Sequence, residues 1–163
     1  NVAIGLNNLA QLLKATNRLE EAEPLMRQAL AIDQDSYGPN HPKVATDLNN
    51  LAQLLHATNR LEEAEPLMRQ ALAIDQDSYG PNHPNVAIRL NNLAGLLQDT
   101  NRLEEAEPLM GRAFAIFLGS LGLDHPNTQK VGGNYIKLLQ AQGLSEAEIQ
   151  AKLQSILSPP CTL

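Results

Sequence analysis

The chain has 163 residues, 12 Lys+Arg against 18 Asp+Glu for a formal charge of −6, 43% hydrophobic residues, and 3% aromatic residues with no Trp. That length and apolar share suit one domain with a continuous core, and an acidic surface poor in stacking rings argues against a nucleic-acid partner. No apolar run approaches the roughly 20 residues of a membrane span, so no membrane partner is expected; the single Cys161 excludes an intrachain disulfide framework and fits a reducing, cytoplasmic setting.

From the first residue the chain repeats itself. Residues 1–42 and 43–84 differ at four positions, Asn1/Lys43, Ile4/Thr46, Gly5/Asp47 and Lys14/His56, and residues 85–126 are a looser third copy. A fixed period of 42 residues points to stacked units and not to a globule with a buried catalytic pocket. In the first copy Val2, Leu6, Leu9, Ala10 and Leu13 recur at helical spacing, which predicts helix A over residues 2–16. Asn17-Arg18 interrupts the pattern. Leu19, Ala22, Met26, Ala29 and Leu30 resume it as helix B through Tyr37, and Gly38-Pro39 stops it. Pro24, one turn into helix B, predicts a slight bend and no break.

After Pro126 the pattern loosens. Asn134-Tyr135-Ile136-Lys137-Leu138-Leu139 marks a divergent helix A, and Ser145 with Glu148 three residues on reads as a capping box opening a second helix. Its polar residues, Glu146, Glu148, Gln150, Lys152 and Gln154, can end a stack, so 127–157 is predicted to be a C-terminal cap and 158–163 a frayed tail. Helix B of copy three is greasier, with Phe117, Leu118, Gly119 and Leu121 for Asp75, Gln76, Asp77 and Tyr79, as a surface meeting an atypical end unit should be. The chain opens inside a repeat at Asn1-Val2-Ala3, with no matching N-terminal cap, and reads as a fragment cut from a longer array.

Four segments of each unit carry a resemblance: Leu6-Asn7-Asn8-Leu9-Ala10, Leu19-Glu20-Glu21-Ala22-Glu23-Pro24-Leu25, Arg27-Gln28-Ala29-Leu30-Ala31-Ile32 and Gly38-Pro39-Asn40-His41-Pro42. Residues 1–126 resemble the tetratricopeptide repeats of kinesin light chains, with departures at Leu13, where that family often has Tyr, and at Asn17, where Gly is commoner. The resemblance implies an all-α, right-handed superhelical solenoid of antiparallel helix pairs, and a concave groove lined by helices A that binds an extended peptide or a partner helix. It also implies that Asn7, Asn49 and Asn91 contact peptide backbone, a ladder that ends at Gly133.

Counting about 100° per residue places Ile4, Asn7, Gln11, Lys14 and Ala15 away from the apolar face of helix A. An Asn amide offers two donors and an acceptor, which suits sequence-independent pairing with a peptide. The candidate groove set is therefore Asn7, Gln11 and Lys14; Asn49, Asn50, Gln53 and His56; Asn91, Asn92, Gln98 and Asp99; and Lys137. Two of the four differences between copies one and two lie on this face. Ligand specificity and drift at exposed positions after a duplication both account for them, and four substitutions do not decide. A carboxylate clamp is not expected, because only Asn50 matches that motif's Lys/Asn, Asn, Lys/Arg arrangement.

His41, His83 and His125 each precede Pro one unit apart, with no nearby second ligand, and read as loop punctuation and not as metal ligands. Glu20, Glu21 and Glu23 crowd a solvated first turn where they complement the helix dipole, and nothing there separates their pKa values for acid-base work. Met26, Met68 and Met110 read as core. No phosphate loop, nucleophile motif or dinucleotide fingerprint occurs, so no enzyme, cofactor or metal is expected. The function expected is a protein–protein interaction scaffold. The alternative is a structural or regulatory array segment that self-associates or stacks through its uncapped N-terminal face, such as the sensor end of a larger signalling protein.

Overall fold

The computed structural model of the chain describes residues 2–158, which form eight helices. These are α1 (Val2–Ala15), α2 (Leu19–Tyr37), α3 (Pro42–Ala57), α4 (Leu61–Tyr79), α5 (Pro84–Asp99), α6 (Leu103–Leu121), α7 (Pro126–Ala141) and α8 (Glu146–Leu157). There is no strand among the described residues, and the fold is all-α, built of consecutive helix pairs. Asn1, Cys161 and all of the expected tail except Ser158 lie outside the described residues.

Each odd-numbered helix of the three copies passes to its partner through three residues, short enough to force the two helices antiparallel. At the first such turn the Thr16 hydroxyl donates to Leu12 and Leu13 carbonyls, and the Arg18 N–H reaches back to the Leu13 carbonyl at 2.8 Å. The residue between them must be left-handed, and Asn17, Asn59 and Asn101 all stand at φ 59°. Asn tolerates that conformation better than other non-glycine residues. The turn is thus the same in all three copies.

Even-numbered helices end differently. Gly38 adopts φ 87° after α2, and His41 caps α3 by accepting the Lys43 N–H on Nδ1 at 3.2 Å, with Pro42 in the first helical position. His83 and His125 repeat this on the N–H groups of Asn85 and Asn127. The three histidines are N-caps, a definite role for residues read from sequence as punctuation. α2 runs unbroken through Pro24.

The helices divide into two compact units, Asn1–Pro81 and Asn82–Leu163. A chain of repeats makes its contacts between neighbours. In the first unit α2 packs on α1 and α3, and α3 packs on α4. Ala10, Ala22 and Ala29 are fully buried where helices approach, Met26 and Met68 are core, and Val44, Ala45 and Leu48 of α3 cluster with Ala71 and Ile74 of α4. Being covered on two sides, α3 buries Leu51 and Leu54 to 1% and 0% exposure, whereas Leu9 and Leu12 of α1 keep 47% and 61%.

In the second unit α6 packs against α5, α7 and α8. The contact of α7 with α6 is fitted by paired changes of size. Gly132 stands where Leu48 and Leu90 stand in earlier copies, and Phe114 where Leu30 and Leu72 stand; a Cβ on Gly132 would lie 3.0 Å from Phe114 Cε2. Tyr135 replaces Leu51 and Leu93, and Gly111 replaces Arg27 and Arg69, with the Tyr135 hydroxyl 3.2 Å from where a Gly111 Cβ would be. That hydroxyl donates to Glu107 Oε1 at 2.8 Å, and Lys152 of α8 donates to the same oxygen at 3.1 Å. Burial and the Glu107 carboxylate raise the Tyr135 pKa, so the hydroxyl stays protonated and remains a donor. α8 opens with the expected capping box, Ser145 with Glu148.

Candidate functional site

The candidate residues lie on successive helices A within each unit. In the first unit Gln11 is exposed on α1, and Lys14 is half-buried with its Nζ donating to Gln53 Oε1 of α3 at 3.3 Å. Burial lowers the Lys14 pKa. Asn50 and His56 are partly exposed on the same helix as Gln53. These side chains make a polar strip across α1 and α3, and it contains Lys14 and His56, which differ between copies one and two.

Two asparagines of the expected ladder are drawn inward. Asn7 donates through Nδ2 to Asp47 Oδ1 at 2.6 Å, and its own Oδ1 is buried with no hydrogen-bond partner. Asn49 is 3% exposed. Both amides therefore face protein more than solvent, where they set the position of one helix A against the next. In the second unit Asn91 accepts on Oδ1 from Asn134 Nδ2 of α7 at 3.2 Å, which again ties two helices A side by side. Asn92 and Gln98 are partly exposed, and Asp99 and Lys137 are exposed. Space is open above Gly95 and Gly133, so backbone is accessible between these side chains.

Sequence reasoning missed the partners. Asp33 of α2 and Asp47 of α3 are 4% and 2% exposed, and the Asp33 carboxyl acts on that of Asp47, a pair absent from the candidate set. A signal existed: the positions 14 residues apart read Asp33/Asp47, Asp75/Arg89 and Phe117/Val131 in successive registers, acid with acid, acid with base, apolar with apolar. Asn134 stands in a segment that the sequence marks only by a loose helical match.

The first turns of the helices B carry an ion network instead of acid-base pairs. Arg18 pairs with Glu21, and Glu23 accepts from both Arg27 and, across to the next copy, Arg60. Burial raises the Glu23 pKa, but the two guanidinium groups outweigh it and hold the carboxyl below its usual range. Such partly exposed pairs contribute little singly, about 0–1 kcal/mol, and their regular placement chiefly fixes repeat against repeat. Among the described residues no group of three or more His, Cys, Asp or Glu could hold a metal ion, and no helix is long and apolar enough to cross a membrane.

The comparisons agree with this architecture. The nearly identical TPR-like repeats of a kinesin-light-chain-type protein of Podosopora anserina align with 95% of this chain and 73% of theirs at 25% identity, with a TM-score of 0.74. A single-substitution variant of them gives 24% identity and a TM-score of 0.76 over the same shares. BtubC (BKLC) from P. vanneervenii aligns with 93% of this chain and 60% of its own at 25% identity, with a TM-score of 0.81. No curated protein matches the chain. The tetratricopeptide repeat family matches residues 1–77 and 60–119, well over half of the chain. Helix pairs, turn chemistry and these matches together place the chain in the tetratricopeptide repeat family, whose repeats generally mediate protein–protein interactions.

Proposed function

We propose that the chain is a non-catalytic binding module that holds an extended peptide or a partner's helix against the polar strip of its helices A. The observation that carries this reading is the side-by-side placement of adjacent helices A within each unit, by Lys14 on Gln53 and by Asn134 on Asn91. It leaves Gln11 and Gln53 in the first unit, and Gln98 and Lys137 in the second, as accessible polar groups above packed helices. Amides and a lysine can pair with backbone and side chains of a segment that the open space above Gly95 and Gly133 lets approach closely. Asn7 and Asn49 support the strip from below, and the differing Lys14 and His56 supply specificity.

The test is capture of partners from a lysate by the wild-type chain and by a Gln11→Ala, Gln53→Ala, Gln98→Ala, Lys137→Ala variant. These are surface changes, each expected to alter stability by under about 0.5 kcal/mol. A partner held by the strip should bind the variant at least about tenfold more weakly. Equal retention by both proteins would remove the proposal.

A second reading, self-association, rests on the exposed Val2, Leu9 and Leu12 of α1, whose register mates Val44, Leu51 and Leu54 are buried against neighbouring helices. A second copy presenting its own α1 would cover this face. Sedimentation velocity at high concentration should then show a dimer that Leu12→Asp dissolves, and a strict monomer would end this reading.

A further inference from the structure

Asp33 and Asp47 meet between α2 and α3 with almost no solvent access, at 4% and 2% exposure. Asp33 Oδ1 and Asp47 Oδ2 are buried with no hydrogen-bond partner among the described residues. Asn7 of α1 donates to the other Asp47 oxygen. Two neighbouring buried carboxylates with one amide donor, which reaches Asp47 alone, are unfavourable, because burial disfavours each charge and each charge disfavours the other. One proton held on the pair removes one charge and makes the missing hydrogen bond.

We infer that the Asp33–Asp47 pair is a proton-linked joint between the first two helix pairs, closed by one shared proton and loosened when that proton leaves. The joint lies at the meeting of α1, α2 and α3, so its state sets how firmly α3 seats on α2. The groups acting on Asp47 are few. α2 contributes Asp33; its own helix contributes Lys43, whose ammonium is already placed on the Tyr37 hydroxyl at 2.7 Å; and α1 contributes the neutral Asn7 amide. The residues of α4 clustered with α3 here are the apolar Ala71 and Ile74. Gly5 holds this register position in copy one and Arg89 in copy three, so the acid pair is peculiar to this joint.

Burial first, and Asp33 in addition, push the Asp47 carboxyl from 3.8 up to about 6, against the opposing effect of the Asn7 hydrogen bond. The sign follows from linkage. Between those two values the folded chain keeps a proton that the unfolded chain has released, so the stabilisation is fully present below about pH 4 and is lost as pH rises through about 6.

Thermal unfolding of the whole chain at pH 5 and pH 7.5 tests this. The wild-type Tm is expected to be roughly 3–6 °C lower at pH 7.5. Asp47→Asn, which keeps the shape and supplies a donor to Asp33, should lose most of that difference by raising the Tm at pH 7.5. Asp33→Asn should do the same, and the double variant no more than either alone. The histidines are the same in all four proteins and cancel in the comparison. Parallel profiles for wild type and both single variants, or a flat wild-type profile, would overturn the joint. Capture of partners at fixed pH is a separate readout, so failure here leaves the binding strip untouched.

Discussion

Leu54→Ala is expected to destabilise the chain by about 2–5 kcal/mol, while Leu12→Ala, the same letter one repeat earlier, is expected to change stability by less than about 0.5 kcal/mol. The two residues occupy identical places in nearly identical sequence, but Leu54 is fully buried between two flanking helices and Leu12 is 61% exposed. Removing Leu54 leaves a cavity that the rigid helix pairs α1–α2 and α3–α4 cannot close. Removing Leu12 exposes little that is not already wet. The comparison isolates packing from propensity, since both substitutions replace Leu by Ala in a helix interior. Urea unfolding at concentrations where the chain is monomeric measures it, and equal losses would mean that α1 is covered as α3 is.

Gly132→Leu, which restores the residue of the earlier copies, is expected to cost about 1–3 kcal/mol and to loosen α7 and α8 from α6. The clash is specific, because a Cβ there already lies 3.0 Å from the Phe114 ring. Phe114→Leu, which restores the earlier residue on the other side, should cost stability alone as a cavity and recover most of the loss when combined with Gly132→Leu. The pair should therefore show a coupling energy of about 0.5–3 kcal/mol in a double-mutant cycle. Simple additivity of the two changes would show that the Gly132–Phe114 exchange is not what fits the terminal helices to copy three.

The architecture was legible because its signals are local. Helical spacing of Leu6, Leu9, Ala10 and Leu13 needs one helix, Gly38-Pro39 marks a stop by backbone conformation, and Ser145 with Glu148 encodes a cap within one turn. Helix A ended at Ala15 and not at residue 16 because Thr16 closes the helix with its hydroxyl while Asn17 turns left-handed. The histidine caps were also within reach, since each accepts from an N–H two residues ahead.

The candidate site was legible only in part. A helical wheel sees one helix, and it sets Asn7 and Asn49 off the apolar face of their own helices. It could not see that the next helix A covers Asn7, or that Asp33 and Asp47, 14 residues apart and on different helices, are pressed together. Gln11 and Lys137 are exposed, and Gln53 is partly exposed with its Oε1 accepting from Lys14. Paired changes between registers, Asp33 with Asp47 and Phe117 with Val131, carried the hidden contact, but reading them requires knowing which helices touch.

The measurement that bears most directly on the binding strip is hydroxyl-radical footprinting of the chain with and without a captured partner. The strip predicts protection concentrated on Gln11, Lys14, Gln53, His56 and Gln98, with Arg27, Gln28 and Gln70 on the helices B unchanged. Protection of those helix B residues instead, with the helices A still reactive, would contradict it.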